Sequence, residues 1–320
     1  MFEVLETAQK VAEKSVRVRI NRDALVHFSQ KWLDDGIDVP AWDIYHHYTG
    51  TPEDTVAYLL VLDSLNFCFW PLPGRTKWEI EYRGEKISGY YALSSALKKA
   101  IEDGIPVTQA AYLVSLDLKT LGHILKGCGE LQLMEKRLDI LHELGRVLLS
   151  DYHGQPYEWV ASVDHSATLL ARTLASKLSS FRDVAMYHGE AVHFLKRAQI
   201  FTADLYGAFQ GKGMGQFNDM HMLTAFADYK LPQVLRHAGI IEYDENLGKK
   251  VDQKMLIEPG SPEEVEIRAN TIRAVELIRR ELEKIGTRLK AFEIDWALWN
   301  LGQQESFRKK PYHRTVTIFY

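Results

Sequence analysis

Ser261-Pro262-Glu263-Glu264 opens the segment that most constrains this fold, because a complete helix start is followed there by helical periodicity as far as Gly286. Ser261 is a good N-cap, Pro262 suits the first turn, Glu264 completes a capping box, and Gly286 follows the last turn. Val265, Ile272, Val275, Leu282 and Ile285 then share one face, so the spacing predicts a long helix over 262–285 that is buried along one side. The same 3.6-residue period recurs at 3–13, 22–34, 53–65, 93–102, 118–125, 134–150, 166–178, 194–210 and 292–301. A mainly α protein is expected, with helix packing making most of the core.

One stretch breaks the helical period. In KWEIEYRGEKISGYY, at 77–91, Trp78, Ile80 and Tyr82 alternate with charged residues, Gly84 supplies a turn, and Ile87 leads to Tyr90 and Tyr91. The pattern predicts a small β-hairpin whose second strand runs straight into a helix. Gly89 is either a simple bend at that junction or a place where a ligand approaches the backbone closely. One small β element is thus expected in the whole chain.

With 320 residues and 46% apolar content the chain can bury a substantial core. One compact catalytic unit is expected, divisible into two helical lobes, about 1–150 with the hairpin and about 151–320. No apolar run approaches the roughly 20 residues of a bilayer span, and the opening MFEVLETAQKVAEK is charged and amphipathic, unlike a signal peptide. A cytoplasmic protein without membrane contact is expected. Cys68 and Cys128 lack CxxC spacing, which points to reduced packing residues rather than a disulfide or zinc site. The net charge of −4 disfavours a dedicated polyanion binder, yet leaves room for a local basic pocket and a small anionic substrate.

The common catalytic signatures are missing: no GxSxG, no HExxH, and no GxGxxG after a strand. GKGMG at 211–215 lacks phosphate-loop order and reads as the exit of a helix. His46 and His47 stand between Tyr45 and Tyr48 without a third ligand type nearby, so no metal is expected, and adjacent helical positions let at most one of them point inward. Asn66 among Phe67, Phe69 and Trp70 offers amide groups beside planar surfaces on which a base can stack. Asp295 lies beside Trp296 and Trp299 in a second such setting. Asp228 sits in an apolar run, where a carboxylate is costly unless it is bonded, paired or working. It either caps the short helix signalled by Leu231–Leu235 or belongs to a site. Lys196 falls opposite the stripe of Phe194, Ala198, Phe201 and Leu205, a position that helical geometry places in solvent.

DSLNFCFW at 63–70, YRGEKISGYYAL at 82–93, DGIPVT at 103–108, FLKRAQI at 194–200, FADYKLPQVLRHAGII at 226–241 and PYHR at 311–314 together resemble the queuosine salvage family. The resemblance extends over about 63–320 and is weaker before that. It implies hydrolysis of the N-glycosidic bond of queuosine 5′-monophosphate, releasing queuine for reinsertion into tRNA. It also implies a fold similar to helix-hairpin-helix DNA glycosylases, in which a Lys precedes a catalytic Asp; Lys196 and Asp228 stand in that order here.

On that resemblance Asp228 is expected next to the ribosyl cation that forms as the C1′–N bond breaks, or holding the attacking water. Lys196 becomes an expected ligand of the ribose or 5′-phosphate, with Lys230 and Arg197 as further cations. Phe67, Trp70 and Tyr90 are expected to stack on the base. Asn66, Ser88 and Tyr229 add contacts, Gly89 close backbone approach, and Asp295 a partner for the guanine-like edge or the secondary amine. His47 joins through a looser match around Trp42, and His313 is expected to be structural. No metal or organic cofactor is required. The substrate is expected to be a free nucleotide, with no stable nucleic-acid complex; the alternatives are a polynucleotide base glycosylase and a non-catalytic nucleotide- or RNA-binding module.

Overall fold

A computed structural model describes residues 2–320. Its elements run α1 (Glu3–Lys14), β1 (Val18–Ile20), α2 (Arg22–Asp35), α3 (Pro52–Ser64), β2 (Glu79–Tyr82), β3 (Glu85–Ser88), α4 (Tyr90–Glu102), α5 (Ala110–Ser115), α6 (Leu118–Ile124) and α7 (Met134–Asp151). They continue with α8 (Pro156–Ala161), α9 (Ala167–Lys177), β4 (Val184–Tyr187), β5 (Glu190–His193), α10 (Lys196–Ala208), α11 (Lys230–His237), β6 (Ile241–Tyr243), α12 (Glu245–Asp252), α13 (Pro262–Lys284) and α14 (Ala291–Leu301). The protein is mainly helical, as the periodicity predicts.

Half of the ten predicted helices begin where a side chain satisfies an otherwise orphaned backbone N–H. Asn21 accepts from Ala24, Thr51 from Asp54, Asp117 from Thr120, Ser166 from Leu169, and Ser261 from Glu264. The capping box at α13 is not closed as expected. Glu264 instead accepts from the backbone of Gly260 at 3.0 Å and faces Arg268 one turn on.

Nor does α13 bury only one face. Val265, Ala269 and Ile272 enter one apolar core, while Ile267, Val275, Ile278 and Leu282 enter a second. The helix is the wall between them. The first core is built around α3, α4, α9 and α10; the second around α2, α11 and α14.

Three two-stranded antiparallel sheets occur among the described residues, where one was expected. β2 pairs with β3 in the predicted hairpin, turning through Arg83 and Gly84, both at positive φ. β4 and β5 form a second hairpin of the same design, through His188 and Gly189 at φ 49° and 80°, which is the handedness that matches strand twist. β1 pairs with β6 across most of the chain, Val18 opposite Tyr243. Cys68 is buried as expected, but Cys128 is exposed; both are free thiols. No helix among the described residues is long and apolar enough to cross a membrane.

Candidate functional site

A cavity of about 480 Å³ opens where α4, α10, α11, α14 and the segment 311–320 meet. That volume suits a nucleotide-sized ligand. His47, Asn66, Phe67, Trp70, Ser88, Gly89, Tyr90, Lys196, Asp228, Tyr229, Lys230 and Asp295 all line it. Arg197 does not. Its guanidinium donates to the carbonyls of Asp63, Ser64 and Ser180 behind the cavity wall, so it is a structural cation rather than a phosphate ligand.

Lys196 corrects the periodicity reading. It is only 5% exposed, because α10 is enclosed on every side and the face carrying Lys196, Ile200 and Asp204 borders the cavity instead of bulk water. Leu195 enters the helix with left-handed φ 48°, and the Lys196 backbone N–H is held by Asp183, 3.2 Å away. Asp183 is in turn gripped by both terminal nitrogens of buried Arg268, at 2.9 and 2.6 Å. The start of α10 is thereby locked. The Lys196 ammonium donates to the Asn66 carbonyl at 3.4 Å; burial lowers its pKa, while the charge of Asp228 opposes that shift.

Asp228 both caps a helix and lines the cavity. Its Oδ1 accepts the backbone N–H groups of Lys230 and Leu231 at 2.7 and 2.9 Å, at the positive end of α11. Oδ2 takes no hydrogen bond from the described residues. Burial raises the carboxyl above its ordinary pKa, and Lys196 together with the two backbone donors pulls it back.

Asp295 reaches in from α14. Its Oδ1 accepts the Phe226 N–H at 2.7 Å, and burial, reinforced by the charge of Asp228, raises its pKa well above the usual range. His47 is buried in a turn rather than a helix, its Nδ1 2.6 Å from the Asp43 carbonyl and its Nε2 2.8 Å from the Tyr90 hydroxyl. Burial lowers it to about 4, so the ring is neutral. His46 points elsewhere, onto Asp43. His313 packs in the core against Tyr320, 3.2 Å from its hydroxyl.

The cavity has two chemically different ends. Trp42, His47, Tyr90, Tyr91 and Trp299 form one, with centroid separations of 4.3 Å for Trp42 and His47 and 5.6 Å for Tyr91 and Trp299. Lys77, Lys230 and Arg308 form the other, where Arg308 lowers the pKa of both lysines and Lys77 adds to the lowering of Lys230. Lys230 falls to about 8, mainly through burial, and its ammonium is oriented by Gln233 Oε1 and the Gly302 carbonyl, both at 3.3 Å. Gly89, at φ 68° and ψ −141°, lies between hairpin and helix in backbone territory reserved for glycine. Phe67 is already engaged by the guanidiniums of Arg137 and Arg197, 4.1 and 5.0 Å from its ring centre.

Several lining residues escaped the sequence reading. Arg308 and Arg314 carry no periodic signal, and Lys77 reads only as a charged position in the alternating strand. Asp204 does carry one, since Lys196, Ile200 and Asp204 repeat every four residues along α10 and mark one face. No group of three or more His, Cys, Asp and Glu side chains able to hold a metal occurs among the described residues.

A family model described as queuosine salvage protein matches residues 46–320. A protein of Sphaerobacter thermophilus is 44% identical over 317 residues, covering 99% of this chain and 97% of that protein. Similar proteins of Dictyostelium discoideum and Bos taurus are 36% identical over 330 residues and 33% over 333, covering 99% and 98% of this chain and 98% of each relative. All three are named queuosine 5′-phosphate N-glycosylase/hydrolase.

Proposed function

The chain belongs to the queuosine salvage protein family, and on that premise we propose that the N-glycosidic bond of queuosine 5′-phosphate is hydrolysed in the cavity lined by Lys196, Asp228 and Asp295. Water adds to C1′, the C1′–N electron pair leaves with the base, and the products are queuine, available for salvage into tRNA, and ribose 5-phosphate.

The observation that carries the assignment of Asp228 is the division of labour in its carboxylate. Two backbone N–H groups fix Oδ1, which leaves Oδ2 unpartnered in a nucleotide-sized cavity. A carboxylate held rigidly in this way stabilises positive charge developing at C1′, or takes a proton from the attacking water, without having to reorganise. The charge of Lys196 opposes the rise in pKa that burial causes. The base belongs at the aromatic end, between Tyr90 and the tryptophans, with Asp295 facing its donors. The 5′-phosphate belongs at Lys230, Lys77 and Arg308.

The order and proximity in charge of Lys196 and Asp228 support a relationship to helix-hairpin-helix DNA glycosylases. A free nucleotide is favoured over a polynucleotide by the acid excess of the chain. Two free thiols suit residence in the cytoplasm. The test is incubation with queuosine 5′-monophosphate, unphosphorylated queuosine and guanosine 5′-monophosphate, followed by chromatography for released base. The first substrate is expected to react fastest and the last not at all; equal cleavage of all three, or of none, sinks the reading.

A further inference from the structure

Asp204 has no part in the reaction as described, yet its surroundings fix its chemical state. His47 Nδ1 lies 2.6 Å from a carbonyl oxygen, which only accepts, so Nδ1 carries the single proton of the neutral ring. Nε2 is then an acceptor, and the Tyr90 hydroxyl 2.8 Å away donates to it. That uses the only proton Tyr90 has. Asp204 Oδ2 is 3.1 Å from the same hydroxyl oxygen, so the one Tyr90 proton cannot serve both acceptors at once, and a proton on the Asp204 carboxyl satisfies the second contact.

Charge balance agrees with this. Asp63, Asp204, Asp228 and Asp295 are 0, 5, 8 and 4% exposed, and the cations facing them are Lys196, Arg197 behind Asp63, and Lys230 beside Asp228. Four buried carboxylates cannot all stay ionised against so little positive charge. Asp63 Oδ2 has no hydrogen-bond partner. The groups facing Asp204 are Asp63 and Tyr58 from α3, Tyr90 from α4, Lys196 from its own helix and Asp295 from α14. Burial outweighs Lys196 and lifts Asp204 to about 7.

We infer that Asp204 is a proton-exchanging specificity residue: it holds a proton in the hydrogen-bond chain through Tyr90 and His47, and gives it up to solvent when an ammonium group of the ligand binds beside it. The inference rests on the reading that the base occupies the aromatic end. An ammonium next to a carboxylate makes a charge-assisted bond that a carboxylic acid cannot match. The secondary amine of queuine is such a group; 7-deazaguanine has the same ring system without it. Binding of the amine-bearing base is therefore linked to loss of one proton, and the linkage selects for the cationic substituent.

The test is titration calorimetry of the intact protein with queuine and with 7-deazaguanine, in two buffers of different ionisation heat, at pH 6, 7 and 8.5. Queuine is expected to release nearly one proton at pH 6, about half at pH 7 and almost none at pH 8.5, with affinity falling about fivefold from pH 7 to pH 6. 7-Deazaguanine is expected to release none. Asp204→Asn should abolish the release. Tyr90→Phe, which removes the acceptor of the Asp204 proton, should move its midpoint to lower pH and serves if the first variant does not fold. No release with queuine, equal release with 7-deazaguanine, or a pH dependence untouched by both substitutions overturns the inference. Release without cleavage of queuosine 5′-phosphate would remove the proposed reaction and leave this inference standing; cleavage without release would do the reverse.

Discussion

Asp228→Asn separates the two duties of this residue. Asn keeps an acceptor oxygen in the Oδ1 position, and Asn caps helices as well as Asp does, so the bonds from Lys230 and Leu231 survive and α11 stays anchored. What is lost is the charge at Oδ2. A missing electrostatic or acid–base group of this kind typically lowers turnover by at least ~10²-fold, which is about 2.7 kcal/mol of transition-state stabilisation. Stability should move the other way. Burial raises the Asp228 pKa in the folded protein, so the wild type favours the protonated form there and loses stability as pH climbs from the ordinary carboxylate range through the raised value. Asn carries no such penalty, and its melting temperature should equal or exceed that of the wild type, with the margin widening as pH rises above about 4. The assays are single-turnover release of queuine from queuosine 5′-phosphate and thermal melts between pH 4 and 8. Near-normal turnover in the folded variant refutes the catalytic role. A melting temperature several degrees lower at neutral pH would show that capping by the charged form, not site chemistry, keeps Asp there.

Lys230→Gln should raise KM for queuosine 5′-phosphate by roughly 10- to 100-fold, as expected for one charge-assisted hydrogen bond of about 1.5–3 kcal/mol, and change KM for unphosphorylated queuosine little; equal losses on both would refute a phosphate role. Because Lys230 titrates at about 8 when phosphate is not bound, the preference for the phosphorylated substrate should weaken above that pH in the wild type and be flat in the variant. Gly89→Ala should cost about 1–3 kcal/mol by denaturant melt, purely from backbone strain, since an added Cβ meets nothing within 4 Å; an unchanged midpoint would mean that the positive φ carries no constraint.

The helices were legible through their 3.6-residue period, at α1, α4, α7 and α10 without any side-chain cap and at α13 with the Ser261 start signal as well. The sequence was silent on β1 and β6, three residues each, whose partners lie at opposite ends of the chain with no turn between them. The hairpin of β4 and β5 did leave a trace, His188-Gly189, which is a weaker form of the Asn-Gly turn signal.

The errors at α10 and Asp228 share a physical origin. A helical wheel divides positions into apolar and wet, and assumes that wet means solvent. Around a nucleotide-sized cavity that assumption fails: Lys196 and Asp204 lie on the polar side of α10, and that side is the wall of the site. Treating cap and site as rival explanations for Asp228 fails for a related reason. A carboxylate has two oxygens, and an N-cap uses one. When the helix start lines a cavity, the unused oxygen is screened from bulk water, and that cost is offset when a ligand or a transition state supplies its partner. A buried capping Asp beside a buried Lys is therefore a stronger sign of chemistry than either residue alone, and in this chain the pair was already visible in FLKRAQI and FADYKLPQVL.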